Sequence, residues 1–230
     1  MKETVGHLVR KTSAAASLLW FSSRLTLGWP ALALVAIAAG IVVFAILTQR
    51  MVGEASVFRL LLGIEASFFV VLAMGLLPRE KETRTLELLL VCARSRQGLL
   101  LLKFAPVCLF VGAAALALTT SLYFLIGGFS WGKMLYVPYG LAATVGILTV
   151  VLTTYVRNQY AAGVLAVLIA LVMATMWLDP FRSFYAVSVE RMILQAPPNL
   201  TINRLLVAVL FGFLYDHAVR RLKHVELWMR

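Results

Sequence analysis

The sequence predicts an all-α integral membrane protein with six transmembrane helices and an N-terminal helix lying in the membrane interface. It also predicts a cytoplasmic helix between the second and third spans and a short external helical segment before the last span. Three observations lead there. Hydrophobic residues make up 62% of the chain and charged residues 13%, against roughly 45–50% and about 25% in a soluble domain. The apolar residues arrive in runs near the roughly 20 residues that a helix needs to cross the hydrocarbon core. Lys and Arg alternate between connections so that fifteen fall on one side and six on the other, which places both termini in the cytoplasm by the positive-inside rule.

Residues 1–27 hold no span. Leu8, Ala15, Leu18 and Leu19 share a helical face, with Arg10 and Arg24 away from it and Lys11 snorkelling. Such a helix lies among headgroups, with Trp20 at the boundary. No signal-peptide layout precedes the first long apolar run. The expected spans are 28–48, 57–77, 104–127, 134–156, 161–178 and 202–219. The fifth and sixth are short, and the second and sixth carry ionisable residues. Between the last two, residues 179–201 place Phe181, Phe184, Tyr185, Val189, Met192 and Ile193 at helical spacing. Pro197-Pro198 is expected to end that segment, because proline cannot continue a helix. No repeat or linker divides the chain, so residues 1–230 read as a single transmembrane domain.

The net charge of +11 and pI near 10.2 do not point to nucleic acid, because there is no soluble basic face on which the charge can gather. Two cysteines, Cys92 and Cys108, form no disulfide framework and are both expected on or near the reducing cytoplasmic side. His7, His217 and His224 show no metal-ligand spacing. No Ser-His-Asp or Cys-His arrangement points to catalysis. Gly127 to Met134 comes within one residue of a phosphate-binding loop, but Met134 stands where a hydroxyl would hold magnesium. The chain therefore carries no ATPase motif, and no cofactor is expected in it.

The connection after the second span is the most informative. It reads Arg79-Glu80-Lys81-Glu82-Thr83-Arg84-Thr85-Leu86-Glu87-Leu88-Leu89-Leu90, then continues through Ser95-Arg96 to Lys103. Mixed charges, a short apolar helix and a basic break describe an amphipathic helix held against the inner surface, with acids near its start that complement the helix dipole.

This pattern resembles the permeases of type-2 ABC transporters, the export-type membrane subunits. Glu80 or Glu82 stands for the family's acidic residue, Thr85 to Leu90 for its centre, Ser95-Arg96 for the Ser-Arg pair, and Lys103 for the closing Lys. Arg84 departs from the usual Gly and Ala93 from the usual Pro. The motif covers about a tenth of the chain, and the interfacial helix, six spans and external segment look like the family too. The resemblance implies that residues 79–103 form a coupling helix seated in a separate ATPase subunit. Glu80, Glu82, Thr85, Glu87, Ser95 and Arg96 would then lie at that contact. ATP and magnesium would be bound by the partner. A second permease chain, identical or homologous, would complete a pathway in a prokaryotic cell membrane, among membrane lipids. Alternating access would follow from ATP-driven closure of the motor.

Ionisable residues inside spans are functional candidates because burying them is costly. Glu65 lies well within the second span, and Arg59, about two turns nearer the outside, can snorkel. Glu65 lines the pathway, binds a cationic group, or bonds to another helix. Ala36 and Gly40 form a small-xxx-small pair that allows close helix approach. Two other readings stay open: the membrane subunit of a cytochrome c-maturation haem exporter, and a non-transporting membrane scaffold or sensor component.

Overall fold

A computed structural model describes residues 33–42, 44, 54–76, 96–156, 158–175 and 197–222. Among them are six helices and no strands: α1 (Ala33–Val42), α2 (Glu54–Met74), α3 (Arg96–Ile126), α4 (Trp131–Thr153), α5 (Gln159–Thr175) and α6 (Pro197–Leu222). Each falls on one of the six expected spans. By length and composition α2, α3 and α4 suffice to cross a membrane. The apolar stretches of α1 and α5 are shorter, and the last turns of α6 carry Asp216, Arg220 and Arg221. The structure thus supports three spans, not six. The expected interfacial helix at 1–27 and most of the external segment at 179–201 lie outside the described residues.

Helix ends depart from the sequence reading in two instructive places. The third apolar run is expected to begin at Phe104, but α3 already starts at Arg96. The intervening Gln-Gly-Leu-Leu-Leu-Leu-Lys stretch is helical because four Leu, Gln and Lys are good helix formers that outweigh the single Gly98. At 31 residues, α3 is about 46 Å long, well beyond the roughly 30 Å hydrocarbon core. Cys108 consequently lies about 18 Å along α3 from Arg96, in the interior of the helix and not near the N-terminal end expected to face the cytoplasm. In the second instance, Pro197-Pro198, expected to end the external segment, opens α6; the residues before it lie outside the described ones. A proline in the first turn loses no helical hydrogen bond, and its fixed φ suits that position.

The turns are tight and locally specified. Gly127 and Gly128 have φ of 66° and 73°, the left-handed geometry that ends a helix most easily with glycine. The Gly127 N–H donates to the Tyr123 carbonyl at 3.0 Å. After α4, the Asn158 side-chain oxygen accepts from the N–H groups of Tyr160 at 2.9 Å and Ala161 at 3.3 Å, capping α5. Asn158→Ala is expected to cost about 1 kcal/mol of stability, the usual worth of such a cap; a denaturation series in detergent micelles would measure it.

α4 is the central element. It packs most extensively on α2 and also contacts α3, α5 and α6, and residues 141–147 are buried without interruption. Its hydroxyls are satisfied within the helix: Thr144 donates to the Gly140 carbonyl at 2.9 Å and Thr149 to that of Val145 at 2.8 Å. The outward surfaces are apolar instead, with Val164, Leu168, Leu171 and Val172 on α5 and Leu205, Val209 and Phe213 on α6 exposed. Buried hydroxyls bonded to their own backbone and apolar exteriors belong to helices whose solvent is lipid.

Consecutive helices from α2 onward alternate in direction. The Phe104 ring of α3 lies 6.0 Å from Phe69 of α2 and 6.2 Å from Phe211 of α6. Tyr215 of α6 donates to the Gln97 carbonyl at 2.8 Å. One end of the bundle therefore gathers the C-terminus of α2, the N-terminus of α3, the α4–α5 turn and the C-terminus of α6. Residues 77–95 connect α2 to α3 at that end. The opposite end carries the Gly127-Gly128 turn. There Trp131 Nε1 donates to Thr120 at 3.2 Å, and Tyr123, Trp131 and Tyr136 are exposed, as in an interfacial aromatic belt.

Candidate functional site

Two polar features stand out from this apolar bundle. The first is Glu65. On α2, Phe58, Leu61, Phe68, Phe69 and Leu72 follow helical spacing and are buried. Glu65 takes a position on that same stripe, so the packing of its neighbours draws it into the interior. Only 1% of it is exposed, and among the described residues neither carboxylate oxygen has a hydrogen-bond partner.

Tyr139 of α4 lies within electrostatic reach of this carboxylate. The Tyr139 hydroxyl donates to the Cys108 carbonyl at 2.9 Å, and its ring lies 5.6 Å from Phe69. A Cβ on Gly112 of α3 would lie 3.6 Å from the Tyr139 ring, ordinary contact distance, so the aromatic edge rests against the α3 backbone. Glu65 thus belongs to a node joining α2, α3 and α4, extended to α6 through Phe104 and Phe211. An unpaired buried carboxyl costs stability and rigidifies nothing by bonding. The node offers no nucleophile–base pair and, among the described residues, no group of metal ligands.

The second feature lies at the end where residues 77–95 attach. Tyr155 Oη and His217 Nε2 are hydrogen bonded at 2.5 Å, the Arg221 guanidinium sits 3.9 Å above the Tyr155 ring, and Asp216 pairs with Arg220 at 2.6 Å. These contacts tie the last turns of α6 to the end of α4, while Tyr215 ties them to the start of α3.

Of the residues singled out in the sequence, Glu80, Glu82, Thr85, Glu87 and Ser95 lie outside the described residues. Arg96 is the first residue of α3. Lys103, two turns further on, is buried. Arg59 is exposed on α2 and occupies a different face from Glu65, so the structure does not bring these two together. Sequence reasoning missed Tyr139, and it missed that Tyr155 gathers His217 and Arg221. The signals were a tyrosine directly after Pro138 within a span, and a cluster of Asp216, His217, Arg220 and Arg221 at i, i+1, i+4 and i+5.

No family model, curated protein or solved structure matches this chain.

Proposed function

We propose that this chain is the membrane-spanning permease subunit of an ATP-driven exporter, working as a dimer and coupled to a separate ATPase subunit. The finer topology of this reading has six spans with both termini cytoplasmic, in a prokaryotic cell membrane. The observation that carries it is the charged and apolar pattern of Glu80 to Lys103, set between two antiparallel helices each long enough to span.

The geometry of those helices supports a mechanical role. α3 is one helix from Arg96 to Ile126, with Pro106 in its first half, so a push on residues 79–95 enters the membrane through the N-terminal turns of α3. The Tyr215–Gln97 hydrogen bond and the Phe104–Phe211 contact pass that displacement to α6. On this reading the ATPase partner supplies nucleotide and magnesium chemistry, and the chain supplies the pathway and the lever. Glu80, Glu82, Thr85, Glu87, Ser95 and Arg96 form the coupling contact.

The test is affinity purification of the full chain from its native membrane in mild detergent. An ABC-type ATPase should accompany it stoichiometrically. Reversing Glu82 and Glu87 to Lys should lower the recovered partner at least about tenfold, since like-charge juxtaposition at an interface costs several kcal/mol. Wild-type recovery from the double variant, or a chain that purifies without an ATPase, would sink the reading and leave the scaffold or sensor role.

A further inference from the structure

The cluster at the end of α6 sits at a defined membrane depth. Tyr155 follows the spanning helix α4 by two residues. Tyr215 donates to the carbonyl of Gln97, the first residue of the spanning stretch of α3. Both anchors place the cluster where hydrocarbon gives way to headgroups.

At that level the two arginines differ. Arg220 is engaged by Asp216 at 2.6 Å. Arg221 is held over the Tyr155 ring at 3.9 Å, and Tyr155 is itself fixed by the hydrogen bond to His217. That contact is made with the aromatic ring, and among the described residues no acid pairs with Arg221. A guanidinium stacked on an aromatic ring keeps its planar fork available for bidentate binding of phosphate. The surrounding solvent supplies that chemistry, because bilayer headgroups carry phosphate, and anionic lipids are drawn to basic side chains near the membrane surface.

We propose that Arg221, oriented by Tyr155 and His217, binds the phosphate of an anionic phospholipid headgroup where α4 meets α6. The proposal rests on the membrane-spanning character of the helices and not on coupling to an ATPase, so the two readings fail independently. Among the described residues of the cluster, the Asp216–Arg220 pair is neutral and Arg221 carries the remaining positive charge, which matches one phosphodiester.

The experiment uses the full chain in nanodiscs of mixed phosphatidylglycerol and phosphatidylcholine, with native mass spectrometry of the lipids retained on release. Wild type should retain phosphatidylglycerol preferentially. Arg221→Gln should reduce that preference about fivefold, the worth of one arginine near a charged surface. Tyr155→Leu, which removes the platform but keeps the charge, should reduce it by less. Lys133→Gln, an equal change of charge at the opposite end of α4, should leave it intact. Equal loss in Arg221→Gln and Lys133→Gln would overturn the site in favour of a diffuse charge effect. Unchanged retention in Arg221→Gln would overturn it outright. Displacement of phosphatidylglycerol by low millimolar inorganic phosphate would reassign the site to a soluble anion.

Discussion

Replacing Gly146 by alanine should destabilise the bundle by about 1–3 kcal/mol, the usual cost of overpacking a filled interior. A Cβ built on Gly146 would lie 2.8 Å from Phe69 Cδ1, 3.0 Å from its Cβ and 3.1 Å from its Cγ. The ring edge can rotate away, but the Phe69 Cβ is fixed to the α2 backbone. Relief therefore requires α2 and α4, the most extensively packed pair, to move apart. Gly63 gives the internal comparison, since a Cβ there meets nothing within 4 Å. Gly63→Ala should stabilise by up to about 1 kcal/mol through helix propensity alone. The same substitution on two facing helices thus has opposite signs. Reversible unfolding in mixed micelles measures both, and a Gly146→Ala protein as stable as wild type would show that α2 and α4 do not approach as described. Adding Phe69→Leu should recover part of the loss, because residues in contact couple by about 0.5–3 kcal/mol.

The contrast between these glycines shows where sequence reading reached its limit. The apolar runs located all six described helices, because lipid demands helical backbone and apolar exteriors together. Hydropathy could not place the ends. Arg96 and Lys103 are charged yet helical, and Pro197-Pro198 starts a helix, because backbone geometry and hydropathy change at different residues. Gly146 resembles Gly140 or Gly163 in the sequence. It becomes distinctive only when the Phe69 side of α2 is laid against it. Tyr139 was equally hidden, since its acceptor is a backbone carbonyl 31 residues earlier, as was the Tyr155–His217 bond across 62 residues. Glu65 was legible as an ionisable group inside a span. Its lack of a partner among the described residues was not, because that depends on what α3 and α4 bring to the same level.

That missing partner makes the second prediction large and of unusual sign. Glu65→Leu should raise stability by about 1–3 kcal/mol, the cost of leaving a buried polar group unsatisfied. Leucine is close to glutamate in size, and the stripe on which Glu65 sits is already Phe58, Leu61 and Phe69. Glu65→Gln keeps a polar amide in the same surroundings and should change stability little. On the proposed reading of the chain as a permease, the activity of its complex with an ATPase should move the other way. If Glu65 serves the transport cycle, Glu65→Leu gives a more stable protein with substrate-stimulated ATP hydrolysis lost, the trade between stability and function seen at polar sites kept for activity. Paired measurements of unfolding and stimulated ATPase rate separate the cases. A Glu65→Leu protein that is more stable and fully active would reduce the residue to a tolerated defect of packing. A destabilised one would mean that the carboxyl is bonded in the native membrane, to a residue outside the described helices or to a second copy of the chain.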